Sequence, residues 1–349
     1  MDFTLPQPLN ELRARVRAFV ETHVVPSEAA IEAEDQAGGR QTLLDLRAQA
    51  RADGLWVPHL PRAWGGLDQG LLGMCTLFRE MGRSPYGAKV FNCDAPDQGN
   101  MDLLLTAGSD AIRERWLRPL VDGEITSAFC MTEPAPGAGA DPSNLLTTAT
   151  REGDRWVLRG RKWYSTGGSR AAFMIVMART SDDPKRGATM FVIDRDTPGV
   201  EIVRDVPVMA DDVLDHVETE FAFTDVQVSD DAVLGEVGAG YRLAQVRLVP
   251  ARLTHCMRWL GLADRTLQMC RAYITERRSF GRRLAEHQAI QIMLAEAATA
   301  IHAGNLMTFH CASMIERGEE REARAYSSMT KTHVARLLCK VLDDAIQMH

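Results

Sequence analysis

Two short runs of residues concentrate the chemistry in this sequence. The first is Phe129-Cys130-Met131-Thr132-Glu133-Pro134, followed by the small-residue loop Ala135 to Asp141. The second is Gly160-Arg161-Lys162-Trp163-Tyr164-Ser165-Thr166-Gly167-Gly168. The loop has almost no side-chain bulk, so its backbone N–H groups can approach a ligand closely. An array of N–H groups suits a phosphate or pyrophosphate. The second run sets an aromatic ring beside two hydroxyls at a strand end, which suits a flat heteroaromatic with hydrogen-bonding edge atoms. The competing reading is two ordinary turns in a β-rich region.

Three segments must position these runs. Residues 1 to about 125 read as helical. Leu9, Leu12, Val16, Phe19 and Val20 share one face up to Pro26, which is expected to end the pattern. Leu43, Leu46 and Ala50 mark a second helix that stops at Gly54, and Leu71, Cys75, Phe78 and Met81 mark a third. The segment Phe91 to Asn100 is polar and poor in helix formers, and an apolar helix is expected to follow it at once, from Met101 to Ala107. Ser109 is a candidate N-cap. From 126 to about 235 short apolar runs alternate with turns, as in a sandwich or barrel. Trp156 to Lys162 is expected to alternate, and Ala172 to Ala178 to be buried on both faces. From 236 to 349 three long helices are expected, split at Ser279-Phe280-Gly281 and Arg317-Gly318.

Composition narrows the class. The 349 residues are 45% hydrophobic and 25% charged, which is ordinary for a soluble protein of two or three domains. A net charge of -7 argues against non-specific binding to nucleic acid or an anionic membrane. The 7 cysteines are scattered with no CxxC pair, so neither a metal site nor a disulfide framework is signalled. A reduced cytoplasmic setting is expected, or the mitochondrial matrix or peroxisome in a eukaryote. The N-terminus does not read as a signal peptide, and no apolar run is long enough to span a bilayer.

Four motifs in order carry a resemblance across nearly the whole chain. These are Met131-Thr132-Glu133-Pro134 with its loop and Asp141, Lys162 to Gly167, Arg277-Arg278-Ser279-Phe280-Gly281 with Glu286-His287-Gln288, and Asp344 to His349. Together they resemble the acyl-CoA dehydrogenase family. Phe91-Asn92-Cys93, Pro96-Asp97, Gly99-Asn100-Met101 and Arg252 to Arg258 resemble the branch found elsewhere fused to a phosphotransferase-like domain. The resemblance implies an α+β multidomain fold: an N-terminal helical domain, a central β-barrel domain and a C-terminal four-helix bundle.

It also implies bound FAD and a set of roles. Phe129, Met131 and Thr132 would line the flavin ring edge, with Gly139 and Ala140 at the pyrophosphate or the acyl chain. The family's usual Ser is replaced by Ala140. Tyr164 would stack on the flavin, with Ser165 beside it, and Thr166 would donate to flavin N5. Arg277 and Ser279 would reach the pyrophosphate of a neighbouring subunit's FAD. Gln288 and Gln347 would contact the adenine or ribityl side. His255 and His287 are expected to be structural.

The implied reaction removes two hydrogens across Cα–Cβ of an acyl-CoA thioester, the α-proton to a carboxylate and the β-hydride to flavin N5. Arg252 would line the acyl site. The position before it, where some members place the base, is Ala251, so the carboxylate is expected from a segment after His349. A homodimer or homotetramer, with an electron-transfer flavoprotein as acceptor, is the expected assembly. A flavin-dependent oxidase or monooxygenase on the same fold, or a catalytically silent FAD-binding scaffold, are the alternatives.

Overall fold

The computed structural model describes residues 4–183, 186–209 and 217–349. The helix α1 (Gln7–Phe19) continues through a π turn (Val20–Val24) and a 3-10 turn (Val25–Ser27) into α2 (Glu28–Gln36). Then come α3 (Gln41–Ala52), α4 (Gly70–Met81), α5 (Gly87–Val90), α6 (Asp97–Ala107), α7 (Asp110–Ile112) and α8 (Arg118–Val121). Seven strands follow: β1 (Ser127–Cys130), β2 (Thr148–Glu152), β3 (Arg155–Thr166), β4 (Phe173–Arg179), β5 (Ala188–Asp194), β6 (Val200–Val206) and β7 (Glu218–Ser229). The remainder is α9 (Gly240–Glu276), a hairpin of β8 (Arg278–Ser279) and β9 (Arg282–Arg283), α10 (Gln288–Glu316) and α11 (Glu320–Met348). The helical, β, helical order is the one expected from the sequence.

The chain forms two compact units. One comprises the residues up to Ile31, Arg40–Phe91 and Val249–His349; the other comprises Glu32–Gly39 and Asn92–Leu248. In the first, α10 packs on α11 and on α4. Leu260, Ile301, Val334, Leu337 and Val341 form one of its buried clusters. Helix α9 approaches α4 so closely that a Cβ on Gly261 would sit 1.9 Å from the Arg79 carbonyl oxygen. Arg79 also pairs with Asp264, and Arg265 pairs with Glu28.

In the second unit a seven-stranded half-barrel runs β1-β4-β2-β3-β7-β6, with β5 also on β4. Its core includes Trp156, Leu158, Met174, Val176, Phe191, Phe221 and Phe223. The run Phe173 to Ala178 is wholly buried, as expected for a strand covered on both faces.

Three expectations need correction. Pro26 does not stop the first helix. It sits in the first turn of a 3-10 segment that leads into α2, where its missing N–H removes no hydrogen bond. The stretch Trp156 to Lys162 does not alternate, since Trp156, Val157 and Leu158 are all buried. The helix expected from Met101 begins at Asp97, because Gln98, Gly99 and Asn100 are themselves buried. Ser109 does cap its helix, accepting from the Ile112 N–H.

Candidate functional site

The second motif folds around a β-bulge. Strands β3 and β7 pair antiparallel, but the register slips between Lys162 and Ser165. The bulge takes Trp163 and Tyr164 out of the ladder and re-aims their side chains. Tyr164 is held at φ 49°, a left-handed conformation that costs an aromatic residue roughly 1–3 kcal/mol. Its ring is 44% exposed and meets the Trp163 ring at 4.7 Å between centroids. The Trp163 indole Nε1 is buried with no partner among the described residues.

The first motif is bound to this bulge. Trp163 N donates to the Thr132 carbonyl at 3.0 Å. Lys162 Nζ donates to the Met131 carbonyl and to Glu133 Oε1, both at 2.9 Å. Glu133 also accepts from the N–H groups of Ala138, Leu146 and Thr147. Burial opposes the Glu133 charge, but Lys162 and these donors outweigh it and hold the carboxyl down at about 2. Burial pulls Lys162 down to about 8, opposed by Glu133. The small-residue loop is thus folded around one carboxylate. Gly139 sits at φ 53° and exchanges backbone hydrogen bonds with Glu133, while Ala140 is exposed.

The remaining predicted residues of this unit lie on the same strands. Thr166 Oγ1 donates to Glu218, with Oε1 at 3.0 Å and Oε2 at 3.2 Å. Burial raises the Glu218 carboxyl above its ordinary range, and the Thr166 hydrogen bond offsets part of that. Ser165 is fully buried, and its Oγ, beside the Cys130 thiol, finds no partner of normal hydrogen-bond geometry. The Arg247 guanidinium lies 4.1 Å from the centre of the Phe129 ring. Arg247 Nε donates to Asn100 Oδ1 at 3.1 Å; in the same polar segment Asn92 donates to the Leu120 carbonyl and Asp97 accepts from the Ser127 hydroxyl.

The other unit carries Arg277, Ser279, Gln288, Gln347, Arg252 and Ala251. Arg277 precedes the β8–β9 hairpin, whose tip is turned by Phe280 at φ 51° and Gly281 at φ 79°. Arg277, Arg278 and Arg283 are exposed and form no salt bridge among the described residues. Arg282 Nη2 contacts His287 Nδ1, and His287 Nε2 lies 3.3 Å from the Ser279 carbonyl oxygen. His287 therefore fastens the hairpin, the structural part expected of it. Gln288 opens α10 and Gln347 lies near the end of α11, both exposed. Arg252 and Ala251 are half-buried in α9.

Within the β-containing unit, an exposed tyrosine face and an indole N–H without a partner among the described residues suit a flat ring; within the other unit, guanidiniums without a salt-bridge partner among the described residues suit an anion. The sequence reading missed three residues, Glu133 and Lys162 as a buried pair and Glu218 under Thr166. The first two stood inside the quoted motifs, where Lys162 follows Arg159 and Arg161 in the same strand and no spacing sets it apart from them. Among the described residues no cluster of His, Cys, Asp and Glu could hold a metal, and no helix is long and apolar enough to cross a membrane.

Comparison with known proteins assigns the whole chain. Family profiles for acyl-CoA dehydrogenase match as the N-terminal domain over residues 7–124, the middle domain over 128–226 and the C-terminal domain over 238–349. The probable acyl-CoA dehydrogenase FadE2 of Mycobacterium tuberculosis is 37% identical over 100% of this chain and 87% of its own length. Acyl-CoA dehydrogenase family member 11 of Gallus gallus is 35% identical over 97% of this chain, which spans only 45% of that relative. Among solved structures, one named as an acyl-CoA dehydrogenase from Mycobacterium abscessus superposes with a TM-score of 0.93 at 34% identity, covering 99% of this chain and 89% of that one. The glutaryl-coenzyme A dehydrogenase complex with glutaryl-CoA superposes at 0.84 and 26% identity, covering 100% of this chain and 86% of that one. The chain belongs to the acyl-CoA dehydrogenase family of FAD-dependent oxidoreductases.

Proposed function

We propose that the protein dehydrogenates an acyl-CoA thioester across Cα–Cβ, with Phe129, Met131, Thr132, Tyr164, Ser165 and Thr166 as the residues that hold the flavin ring. The observation that carries this reading is the bulge at Trp163–Tyr164. It spends backbone strain to present an aromatic face beside a hydroxyl and an unpaired indole N–H. Strain of this kind persists where the surroundings over-determine it, and it clusters at ligand sites. FAD, when bound, supplies the hydride acceptor at its N5.

The residues of this chain bind and orient. Tyr164 offers its ring face for stacking. Thr166 lies one residue past Ser165 on the same strand end and offers one hydroxyl to the ring edge. Gly139 and Ala140 sit in a loop folded around Glu133; Gly139 spans the turn with its own N–H and carbonyl bonded to Glu133 and brings the exposed Ala140 toward phosphate or the acyl chain. Arg277 supplies a charge-assisted donor to pyrophosphate, with Ser279, Gln288 and Gln347 on the same helical unit, and Arg252 lines the acyl side. The exposed Arg277, Arg278 and Arg283, without a salt-bridge partner among the described residues, suit a site completed across copies of this chain, and a homodimer or homotetramer is the assembly we propose. An electron-transfer flavoprotein as acceptor, a cytoplasmic setting and membership of the branch fused to a phosphotransferase-like domain belong to the same proposal.

The test is bleaching of the flavin absorption band under anaerobic conditions against a panel of acyl-CoAs, using the full-length protein loaded with FAD. Reduction by at least one acyl-CoA is expected. A loaded flavin that none of the panel reduces would sink the dehydrogenase reading, and a colourless protein that refuses FAD would sink the site itself.

A further inference from the structure

Thr166 and Glu218 are register partners across β3 and β7. The Thr166 hydroxyl has one proton and two lone pairs. Both Glu218 oxygens lie within hydrogen-bond distance of it, Oε1 at 3.0 Å and Oε2 at 3.2 Å. An ionised carboxylate can only accept, so it takes that single proton. Thr166 Oγ1 is then left with lone pairs alone for any other partner.

Four described charges on the adjoining strands are committed elsewhere. Arg161 on β3 and Arg204 on β6 both bond Glu220, Lys162 on β3 bonds Glu133, and Asp205 on β6 accepts from Thr219. Glu218 is therefore held by Thr166 and by its half-buried setting.

We infer that Glu218 is a positioning residue that turns the Thr166 hydroxyl so that it receives, and does not give, a hydrogen bond at the flavin N5 edge. The inference rests on the proposed placement of Thr166 at that edge. N5 is an acceptor in the oxidised flavin and carries an N–H in the reduced one. A hydroxyl held as an acceptor therefore favours the reduced cofactor and raises its reduction potential.

The experiment is a redox titration of the FAD-loaded protein against a dye of known potential, with FAD affinity measured in parallel. Glu218→Ala returns the proton to Thr166 and should lower the potential. A tenfold change in the ratio of affinities for the two redox forms corresponds to about 30 mV for a two-electron couple. Loss of a negative charge would by itself raise the potential, so the sign separates the two effects. Glu218→Val, better suited to a strand, replaces the alanine variant if that one does not load FAD. In a Thr166→Val background the shift should vanish.

A raised or unchanged potential in Glu218→Ala, or the same drop with Thr166→Val present, overturns the inference alone. If Thr166→Val itself changes neither potential nor FAD affinity, the placement of Thr166 fails and the inference falls with it.

Discussion

Lys162 Nζ lies 2.9 Å from Glu133 Oε1, and both side chains are buried, at 0% and 2% exposure. This one contact joins the two runs that the sequence marks as chemical. Glu133 makes further bonds to the backbone N–H of Ala138 in the loop and to those of Leu146 and Thr147 after it, and Lys162 makes one to the Met131 carbonyl. Removing one partner of a buried ion pair strands the other and costs about 3–5 kcal/mol. Glu133→Gln and Lys162→Met should each destabilise on that scale in urea unfolding. They should differ in place. Glu133→Gln keeps one acceptor oxygen and sets an amide NH2 against the donors of the other, so the segment from Pro134 to Leu146 should become the first site of proteolysis, whereas in Lys162→Met the carboxylate keeps its three N–H contacts. Equal protection of that segment in both variants would contradict this division.

The same carboxylate fixes the direction of the acid response. The Glu133 carboxyl is held at about 2 in the folded protein, against an ordinary value of 4.5. A carboxyl depressed on folding stabilises the protein above its unfolded value, and that contribution drains away as pH falls toward the folded value. The stability gap between the parent and Glu133→Gln should therefore be full at pH 6 and narrow between about pH 4.5 and 2. Chemical unfolding at a series of pH values measures it, and a gap that widens with acid would show the sign to be wrong.

Close helix approach gives a prediction in the other unit. A Cβ on Gly261 would lie 1.9 Å from the Arg79 carbonyl oxygen, and one on Gly82 would lie 2.2 Å from the Arg258 carbonyl oxygen. Both obstacles are backbone, so neither can swing aside. Overfilling such a contact costs about 1–3 kcal/mol or more. Gly261→Ala and Gly82→Ala should both lower the thermal midpoint by several degrees, and together they should fall short of additive because they wedge the same helix pair.

The fold was legible where pattern and burial coincide. Leu43, Leu46 and Ala50 are the buried face of α3, and the apolar run after Ala171 is a strand covered on both sides. It was illegible where one residue's meaning depends on distant partners. Pro26 reads as a stop but sits at the start of a turn where it needs no N–H. Strands β1 and β2 are only 4 and 5 residues long and carry Ser, Thr and Arg, so no period marks them. Lys162 reads as a surface charge until Glu133, 29 residues earlier, is placed against it. The two quoted motifs stood out because they gather small, aromatic and hydroxyl residues into short runs. The carboxylates that support them, Glu133 and Glu218, were missed because support comes from the neighbouring segment or strand and leaves no local spacing.

The basic hairpin tests the far end of the proposed site. Arg277 is exposed and has no salt-bridge partner among the described residues. Its removal should leave stability unchanged, because unpaired surface substitutions usually stay within about 0.5 kcal/mol. A charge-assisted hydrogen bond to pyrophosphate contributes roughly 1.5–3 kcal/mol. Arg277→Ala should therefore unfold at the parental urea concentration and yet weaken FAD binding by about one to two orders of magnitude, read from the yellow band after gel filtration. An unaltered spectrum would remove Arg277 from the site.

Tyr164 should show the opposite trade between fold and ligand. Its left-handed backbone at φ 49° strains the folded chain, and asparagine tolerates that conformation better than an aromatic residue. Tyr164→Asn relieves part of the strain but loses the ring contact with Trp163 at 4.7 Å, worth about 0.5–1.5 kcal/mol. The two terms are of similar size and opposite sign. Unfolding of the FAD-free protein should therefore shift by less than about 1 kcal/mol, while FAD affinity falls by roughly tenfold, the equivalent of one lost aromatic stack. A large loss of stability in the FAD-free state would mean that the ring serves the fold. A change confined to the loaded protein would mean that the bulge keeps its strain for the ligand, since nothing within the fold is then repaying it.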